Sequence, residues 1–230
     1  MTTRNSSQKL SVAESARFIS TLSQLISAPG DPNPYGSLVA VHREHMKYQM
    51  HPQMGENGIQ RFLPWHRVFL MKVEQMARTI DPQFSIPYWD WRVEREVPVW
   101  LVNFKPTIRV PGDDVIVTRN PPKPGLTLPT KEAVENIMKA PNHRSFTLSM
   151  DPLHGVVHNW INGTMSDFSN SPSDPLFWLH HAMIDKLWSE WQIAHPREGP
   201  TLTQEWKKMT PWTELAEEVM DIKKLGYDYA

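Results

Sequence analysis

DPLFWLHHAMID, residues 174–185, is the stretch of sequence that decides the fold. Its first two residues, Asp174-Pro175, indicate a helix start, because proline is favoured in the first turn of a helix. After them, large apolar side chains and one histidine recur at helical spacing on one face: Phe177, His181, Ile184, Trp188 and Trp191. We expect this helix to end before Pro196. The pattern therefore predicts a helix whose buried face carries a histidine.

A second predicted helix carries two histidines that can act together. His154 and His158 stand four residues apart, which puts both rings on one side of a helix and within reach of a single ion. We expect the helix to start at Asp151-Pro152, with Asp151 as the N-cap. His181 can join these two rings. Its neighbour His180 points about 100° away, so we expect His180 to pack or to support a ligand.

The rest of the chain also favours helices around one apolar core. Ser11 and Glu14 form a capping box at the start of a helix that Pro29-Gly30 ends. Further helices are expected over Ser37–Gln49, from Pro64 to Asp81-Pro82, near Thr130–Lys139, and from Thr210-Pro211 to Gly226. Residues 83–150 otherwise read as irregular, Pro-rich structure that wraps the core or walls a site. The expected fold class is mainly α, with a four-helix-bundle core surrounded by long Pro-rich loops, in a single domain over residues 1–230.

Composition excludes several classes of function. The 230 residues carry a formal net charge of -1, so neither nucleic acid nor an anionic membrane is an expected partner. Cysteine is absent, which excludes disulfides, thiolate metal sites and a cysteine nucleophile. Any transition-metal site must therefore be built from the ten histidines. Because no signal peptide or membrane-spanning segment is recognisable, we expect a cytoplasmic location.

Histidines on several apolar faces indicate a metal site more strongly than any one of them alone. A single such histidine is usually a hydrogen-bonded core residue. Burying imidazole costs free energy unless its nitrogens find partners, and several of the predicted helices place a histidine on their apolar face. Neutral imidazole suits zinc, copper, iron and nickel. Spacing alone does not choose among these metals.

Two longer motifs make the pattern recognisable. Phe62-Leu63-Pro64-Trp65-His66-Arg67, followed by Glu74, resembles the first copper signature of the tyrosinase and polyphenol oxidase family. Residues 174–181, followed by Asp185, resemble the second signature of that family. The resemblance implies a type 3 copper protein, in which the four-helix bundle holds a pair of copper ions.

Two shorter motifs extend the resemblance. Ile86-Pro87-Tyr88-Trp89-Asp90-Trp91 is similar to the segment that links the two signatures, and Gly226-Tyr227-Asp228-Tyr229 is similar to the tyrosine motif closing the catalytic core. The resemblance runs from about Val39 to the C-terminus, and residues 92–150 are unmatched. It implies a short catalytic core of the bacterial type.

The resemblance implies a ligand set for each copper ion. The second site falls on three histidines: His154, His158 and His181. In the first site, the ligand on the early helix matches His42 and the last ligand matches His66. The family's middle ligand lies nine residues before the last one, on a loop, and that position is Asn57 here. This is the most important departure from the family pattern.

Three explanations stay open for the missing ligand. A nearby histidine can replace it, either His51 in the loop segment Met50–Met54 or His45 from the preceding helix. Asn57 can itself offer its amide oxygen, which is a harder and weaker donor for Cu(I) than imidazole. Otherwise the first site has two histidines and is weakly occupied. The chain would then be a mononuclear or oxygen-binding homologue rather than a full phenol oxidase.

The resemblance also implies the reaction and its partners. Such proteins use dioxygen to oxidise o-diphenols or o-aminophenols to o-quinones, and some hydroxylate monophenols at the ortho position. Proficient hydroxylases hold a water between a Glu and an Asn that follows the first ligand of the second site. Here that Asn position is Gly155 and residues 145–151 contain no Glu, which favours diphenol oxidation.

The expected partners are small molecules and a source of copper. Asn159 and Phe168 correspond to positions at the family's substrate entrance. We expect a small phenolic substrate and dioxygen to reach the copper pair past these residues. Copper would arrive as free ions or from a separate donor protein.

Overall fold

The computed structural model describes residues 1–230, and most of its regular structure is helical. The α-helices in chain order are α1 (Val12–Ser27), α2 (Pro34–Arg43), α3 (His45–Tyr48), α4 (Glu56–Ala77), α5 (Lys131–Ile137), α6 (His143–Ile161), α7 (Leu176–Ala194) and α8 (Gln204–Lys207). Short 3-10 turns cover Ser7–Lys9, Pro52–Met54, Gly163–Ser166, Ser171–Ser173 and Ala216–Val219. The strands are β1 (Thr2–Arg4), β2 (Thr107–Val110), β3 (Asp113–Ile116) and β4 (Tyr227–Tyr229).

Four of these helices, α2, α4, α6 and α7, form a bundle at the centre of the molecule. Helix α4 packs against α2, α6 and α7, and α6 also packs against α7. Around them lies one core of 48 buried hydrophobic residues, which includes the fully buried Trp65, Trp89 and Trp178. The predicted fold class, mainly α with a four-helix-bundle core, is confirmed. No helix is both long enough and apolar enough to cross a membrane.

Helix α4 starts earlier than the sequence indicates. We expected its first residue to be Pro64, but it begins at Glu56 and carries Pro64 inside. An internal proline lacks the amide hydrogen that would bond the carbonyl four residues before it, here that of Gln60. A side chain supplies the missing donor, because Nε2 of His143 lies 3.2 Å from the Gln60 carbonyl oxygen. The proline is therefore accommodated by a tertiary contact that local sequence does not reveal.

Helix α6 also passes through a proline that we expected to open it. It begins at His143, and its N-cap is Asn142, whose side chain accepts from the amide of Ser145. The assignment of Asp151 as N-cap is therefore wrong. Pro152 is exposed, as is Leu148, the residue whose carbonyl loses its helical partner. Solvent can satisfy that carbonyl, so this proline does not end the helix.

The helix predictions for α1, α5 and α7 are confirmed, whereas the prediction for residues 37–49 is wrong in part. The capping box of Ser11 and Glu14 is present at the start of α1, and α7 begins directly after Pro175. The expected helix over residues 37–49 is two helices instead, because the backbone leaves helical geometry at Glu44 (φ -81°, ψ 24°). The short helix expected near residues 130–139 is confirmed as α5.

The expected helix between residues 211 and 226 is wrong. That segment contains one 3-10 turn, Ala216–Val219, and otherwise bends. Its backbone carbonyls accept hydrogen bonds from other elements. Arg67 donates to the carbonyls of Val219 and Met220, and Gln192 also donates to that of Met220. These tertiary hydrogen bonds replace the pairing that an α-helix would need.

The Pro-rich segment 83–150 wraps the core, as expected, but it is less irregular than its proline content suggests. It contains the antiparallel hairpin β2–β3, α5 and the first turns of α6. Its side chains Val97, Leu101, Ile108 and Leu128 are all buried in the core. The segment therefore contributes side chains to the hydrophobic core.

A buried cluster of charges joins the two ends of the chain to the bundle. Strand β1 pairs in parallel with β4, so Arg4 enters the interior beside the C-terminal tyrosines. Asp185 of α7 accepts hydrogen bonds from Arg4, Arg67, Tyr227 and Tyr229. Burial alone would raise the pKa of Asp185, but the two arginines and the tyrosine hydroxyls lower it below its ordinary value. These residues tie α4 and α7 to the two ends of the chain.

Candidate metal centre

Seven buried histidines meet in two groups inside the bundle. The first group comprises His42, His51 and His66, and the second comprises His154, His158, His180 and His181. Within each group, one nitrogen atom from every ring lies within 4.8 Å of the others. Helices α2, α4, α6 and α7 supply all of them except His51, which precedes the turn Pro52–Met54. The structure thus brings the predicted ligand histidines together.

The two groups face each other at short range. The rings of His66 and His181 are stacked, with centroids 4.5 Å apart and planes 14° from parallel. On another side of the centre, the ring of His51 lies 6.4 Å from that of His154. Imidazoles of the two groups are therefore immediate neighbours, and ions held by them would be close together.

Backbone carbonyls fix the proton positions on two of these rings. Nδ1 of His66 lies 2.7 Å from the carbonyl oxygen of Phe62, and Nδ1 of His158 lies 2.7 Å from that of Met165. A carbonyl oxygen can only accept, so each Nδ1 carries the hydrogen and each Nε2 keeps a free lone pair. Nε2 of His158 lies 3.3 Å from Nε2 of His181. The lone pairs thus point into the centre, as metal ligands require.

Most of the remaining ring nitrogens are buried without a hydrogen-bond partner. These atoms are Nδ1 and Nε2 of His42, Nδ1 of His51, Nε2 of His66, Nδ1 and Nε2 of His154, Nε2 of His180 and Nδ1 of His181. Leaving so many buried polar atoms unpaired is costly, and native proteins rarely do so without a functional reason. Metal ions in the two groups would satisfy the inward-facing nitrogens. The donor set, all imidazole and no thiolate, fits copper.

The groups are also electrostatically prepared for a cation. Burial lowers the pKa values of His42, His51, His158 and His181 well below the ordinary value, and repulsion between neighbouring imidazoles lowers them further. Burial likewise lowers the pKa of His66 to about 3. These rings are therefore neutral at neutral pH. Only a neutral imidazole has the lone pair that binds a metal ion.

His180 lies in the second group but differs from its neighbours in its hydrogen bonding. Its Nδ1 is 3.2 Å from Nε1 of Trp91, an indole nitrogen that can only donate. In the neutral ring the hydrogen must then sit on Nε2, which leaves no lone pair free for a metal. This agrees with the expectation that His180 supports the site rather than binds the ion.

The structure distinguishes the residues considered for the missing ligand. His51 is buried and joins His42 and His66. His45 is only half-buried and stands outside that group, with its ring edge-on to Phe168 at 4.6 Å. Asn57 also stands outside it, because its amide donates to the side chain of Gln49 at 3.2 Å. His51 therefore occupies the geometric place of a third ligand.

Two features hold the His51 segment against α4. The bond between Asn57 and Gln49 ties the start of the helix to the chain just before His51. Gly58, in the first turn of α4, lies directly under the backbone of His51: a Cβ atom there would be 1.9 Å from the His51 carbonyl oxygen. Only glycine permits this close approach. The residue at position 57 thus helps to place the segment that carries His51.

A cavity of about 170 Å³ opens beside both groups. His42, His51, His154, His158 and His181 line its floor, and Gly155, Asn159 and Phe168 lie among its other wall residues. Phe168 is 40% exposed, and its ring lies 4.4 Å from that of His51. Asn159 is exposed and donates to the carbonyl of Gly155. All three predicted substrate positions therefore border this cavity.

Sequence reasoning missed two further wall residues, Asp151 and Gln53. Oδ2 of Asp151 accepts from Nε2 of Gln53 at 3.1 Å, and Oδ1 lies 3.7 Å from Nδ1 of His154. The available signal was the spacing, because a residue three positions before a ligand shares its helix face. The prediction of Asp151 as an N-cap hides that signal in the sequence.

Comparison with known proteins gives consistent results. A family model described as the common central domain of tyrosinase matches residues 32–114 and 103–194. The tyrosinase of Streptomyces lincolnensis is 29% identical over 263 aligned residues, covering 92% of this chain and 93% of the relative. The residues matched by the family model include every histidine of the two groups.

Solved structures share the fold. A functional unit of octopus hemocyanin superposes with a TM-score of 0.78 at 23% identity, covering 100% of this chain and 68% of that one. The polyphenol oxidase of Thermothelomyces thermophila superposes with a TM-score of 0.73 at 17% identity, covering 100% and 89%. At these identities the likeness concerns the architecture alone.

Proposed function

The chain belongs to the tyrosinase family of type 3 copper proteins, and we propose that it is a phenol oxidase of one catalytic domain over residues 1–230. It would bind two copper ions and use dioxygen to oxidise o-diphenols or o-aminophenols to o-quinones. One observation carries the proposal: two groups of buried, neutral imidazoles face each other beside a cavity, with inward nitrogens that have no protein partner.

We assign the first copper ion to His42, His51 and His66. His51 would replace the family's loop ligand, because it joins the other two rings while Asn57 binds Gln49 instead. With three imidazoles, this site needs no contribution from His45 or from an amide oxygen. The departure at position 57 is then a relocation of the ligand along the loop.

We assign the second copper ion to His154, His158 and His181. The Phe62 and Met165 carbonyls that hold His66 and His158 orient one ring in each site. His180 would not bind the ion, since Trp91 occupies the lone pair of its Nδ1. This arrangement gives each copper ion three imidazole ligands and leaves the cavity side open.

Bound copper would supply the electrons for dioxygen reduction and accept those of the phenol. The chain's own residues would hold the ions in position and shield them from water. The imidazoles keep each ion in place without a charged ligand, and the surrounding aromatic side chains exclude water. Phe168 covers the His51 side of the cavity, so a substrate ring would enter beside it and stack near the second group.

The substrate preference follows from what lines the cavity. A monophenol must lose its proton on entering, which requires a base or a held water near the second site. Position 155 is a glycine without any side chain to hold one. The carboxylate of Asp151 lies on the same cavity wall, but Gln53 donates to one of its oxygens and the other lies 3.7 Å from Nδ1 of His154. A diphenol is already an electron-rich two-electron donor and needs less assistance. We therefore propose that o-diphenols and o-aminophenols are oxidised more efficiently than monophenols are hydroxylated.

The test is aerobic turnover of three substrates by copper-loaded protein: a catechol, an o-aminophenol and the matching monophenol. We expect oxygen uptake and quinone formation with the first two, and much slower reaction with the third. Protein without copper is the control. Absence of catechol oxidation at full copper content would contradict the proposal and favour an oxygen-binding protein of the hemocyanin type.

A count of bound copper ions distinguishes the proposal from the remaining alternative, a chain whose first copper site is impaired. If the first site is impaired, one copper ion per chain would bind, and its Cu(II) form would give an electron paramagnetic resonance signal. Two ions close together would couple and give little signal. The cytoplasmic location and a copper-donor protein stay predictions from the sequence.

A further inference from the structure

We propose that Asp151 is a positioning residue that fixes one ligand histidine of each copper site: His154 directly, and His51 through Gln53. The inference rests on the copper sites of the proposed function. It concerns a carboxylate on α6 that lies at the cavity wall and belongs to neither histidine group.

The first contact of Asp151 is with His154, one helical turn further on. Its Oδ1 lies 3.7 Å from Nδ1 of His154, and that nitrogen has no hydrogen-bond partner. An imidazole that binds metal through Nε2 carries its hydrogen on Nδ1, and such rings almost always donate that hydrogen to a carboxylate or a carbonyl. His66 and His158 use backbone carbonyls for this purpose. For His154, the acceptor within reach is the carboxylate of Asp151.

The second contact of Asp151 is with Gln53, which lies beside a ligand of the first copper site. Its Oδ2 accepts from Nε2 of Gln53 at 3.1 Å. Gln53 lies in the turn Pro52–Met54, directly after His51. The hydrogen bond therefore links the loop that carries a first-site ligand to the helix that carries a second-site ligand.

This link matters because it is a side-chain hydrogen bond that joins the His51 segment directly to α6. Gly58 and the Asn57–Gln49 bond hold the segment against α4. Neither restrains it relative to α6, although the ring of His51 must stand opposite that of His154 at 6.4 Å. The Gln53–Asp151 bond sets that separation. One carboxylate thus couples the placement of ligands for both ions.

The experiment measures stepwise Cu(I) affinity by anaerobic competition with a chromogenic chelator. Outer groups that orient metal ligands typically change metal affinity by about 10- to 100-fold when removed. We expect Asp151→Ala to weaken both binding steps by a factor in that range. Gln53→Ala should weaken only the step that His51→Ala abolishes, since it leaves the contact with His154 intact.

Asp151→Asn separates the two contacts further. Its amide oxygen can still accept from Gln53, but it lacks the negative charge that attracts the Nδ1 hydrogen of His154. This variant should therefore weaken the second-site step and spare the first. A general loss of folding would not give this division between steps. If Asp151→Ala does not fold, the exposed Gln53→Ala keeps the test decisive.

Arg144→Ala is the matched control. Arg144 of α6 pairs with Glu56 of α4 at 2.9 Å, which is another exposed link between α6 and the region of α4, away from both histidine groups. Its loss should leave both affinities unchanged. Unaltered affinities in Gln53→Ala and Asp151→Asn would overturn the inference while the wild type still binds two copper ions. If the wild type itself binds none, the proposed function fails instead.

Discussion

The two histidine groups present the same kind of ligand but are built in different ways. The second group comes from two helices, where a spacing of four residues in α6 and two adjacent positions in α7 fix every ring. The first group comes from two helices and a loop, and its loop member departs from the family pattern. Helical ligands are fixed by periodicity, whereas a loop ligand can move along the chain if the loop folds to suit it.

The groups also differ in how rigidly their rings are held. In the second group, His158 is anchored to the Met165 carbonyl, and His180 is bound by Trp91 behind it. In the first group, His66 has a carbonyl anchor. Rings without such an anchor occur in both groups, but His154 lies on a helix whereas His51 lies on a loop. His51 depends on the packing of its segment against Gly58. The first group should therefore be the more easily disturbed.

The largest effect is expected from removing an anchored ligand of the second group. His158→Ala leaves one ion with two imidazoles and empties the space that His181 faces at 3.3 Å. We expect catechol oxidation to fall by more than about 100-fold, beyond the range typical of outer-sphere changes. Steady-state oxygen uptake measures it. His143→Gln, a change at a buried histidine outside both groups, should retain activity, and its loss there would mean that the effect is not specific.

The next effect distinguishes His51 from Asn57 as the third ligand of the first site. His51→Ala should reduce the copper content from two ions per chain to one, because it removes one of three imidazoles. Asn57→Ala should keep two ions, since Asn57 binds Gln49 rather than the group. Elemental analysis of dialysed protein gives the counts. The reverse outcome, with copper lost in Asn57→Ala and kept in His51→Ala, would show that the amide is the ligand.

Acid should destabilise the copper-free protein through its buried imidazoles. Burial lowers the pKa of His66 to about 3 and that of His143 to about 4. Between these values and about 6.5, the unfolded chain binds protons that the folded chain does not, so the free energy of unfolding rises with pH in that window. Each such group contributes up to about 1.4 kcal/mol per pH unit. Stability should thus fall as pH drops below about 6.5.

Urea unfolding of the copper-free protein at several pH values checks this. Both His66→Gln and His143→Gln should flatten the dependence by about that amount, because each removes one titrating group. Only His66→Gln should also lose copper, since His143 lies outside both groups. An unchanged pH dependence in both variants would contradict the assignment of neutral buried rings.

The smallest effect is expected at the cavity entrance. Phe168 lies over the first group, 4.4 Å from the ring of His51, and is 40% exposed. Phe168→Ala should admit bulkier diphenols and raise their kcat/KM by about 10-fold, a usual size for relief of a steric restriction in a pocket. Copper content should stay at two ions. If bulky and small diphenols react with equal kinetics in the wild type and in Phe168→Ala, Phe168 does not restrict the entrance.

Periodicity, together with the resemblance to the family motifs, predicted the parts of the fold and of the site that lie on helices. His42, His66, His154, His158 and His181 were all identified from their motifs and occur in the two groups. The missing ligand could not be resolved from the sequence, because the position of His51 depends on how close its backbone approaches Gly58. Loop conformation of this kind is decided by tertiary contact.

Proline misled the prediction of helix starts for a related reason. The sequence predicts Pro64 and Pro152 as first-turn residues, yet each lies inside its helix. The carbonyl that Pro64 leaves free is bound by the ring of His143, which is far away in the sequence. Because Pro152 makes Asp151 resemble a cap, the sequence hides its contact with His154, and its contact with Gln53 depends on the tertiary fold.

Anomalous diffraction at the copper absorption edge, from crystals of the copper-loaded protein, tests the central claim most directly. Two peaks are predicted, one among His42, His51 and His66 and the other among His154, His158 and His181. A single peak in the second group, or a first-group ion bound to the side chain of Asn57, would contradict the account.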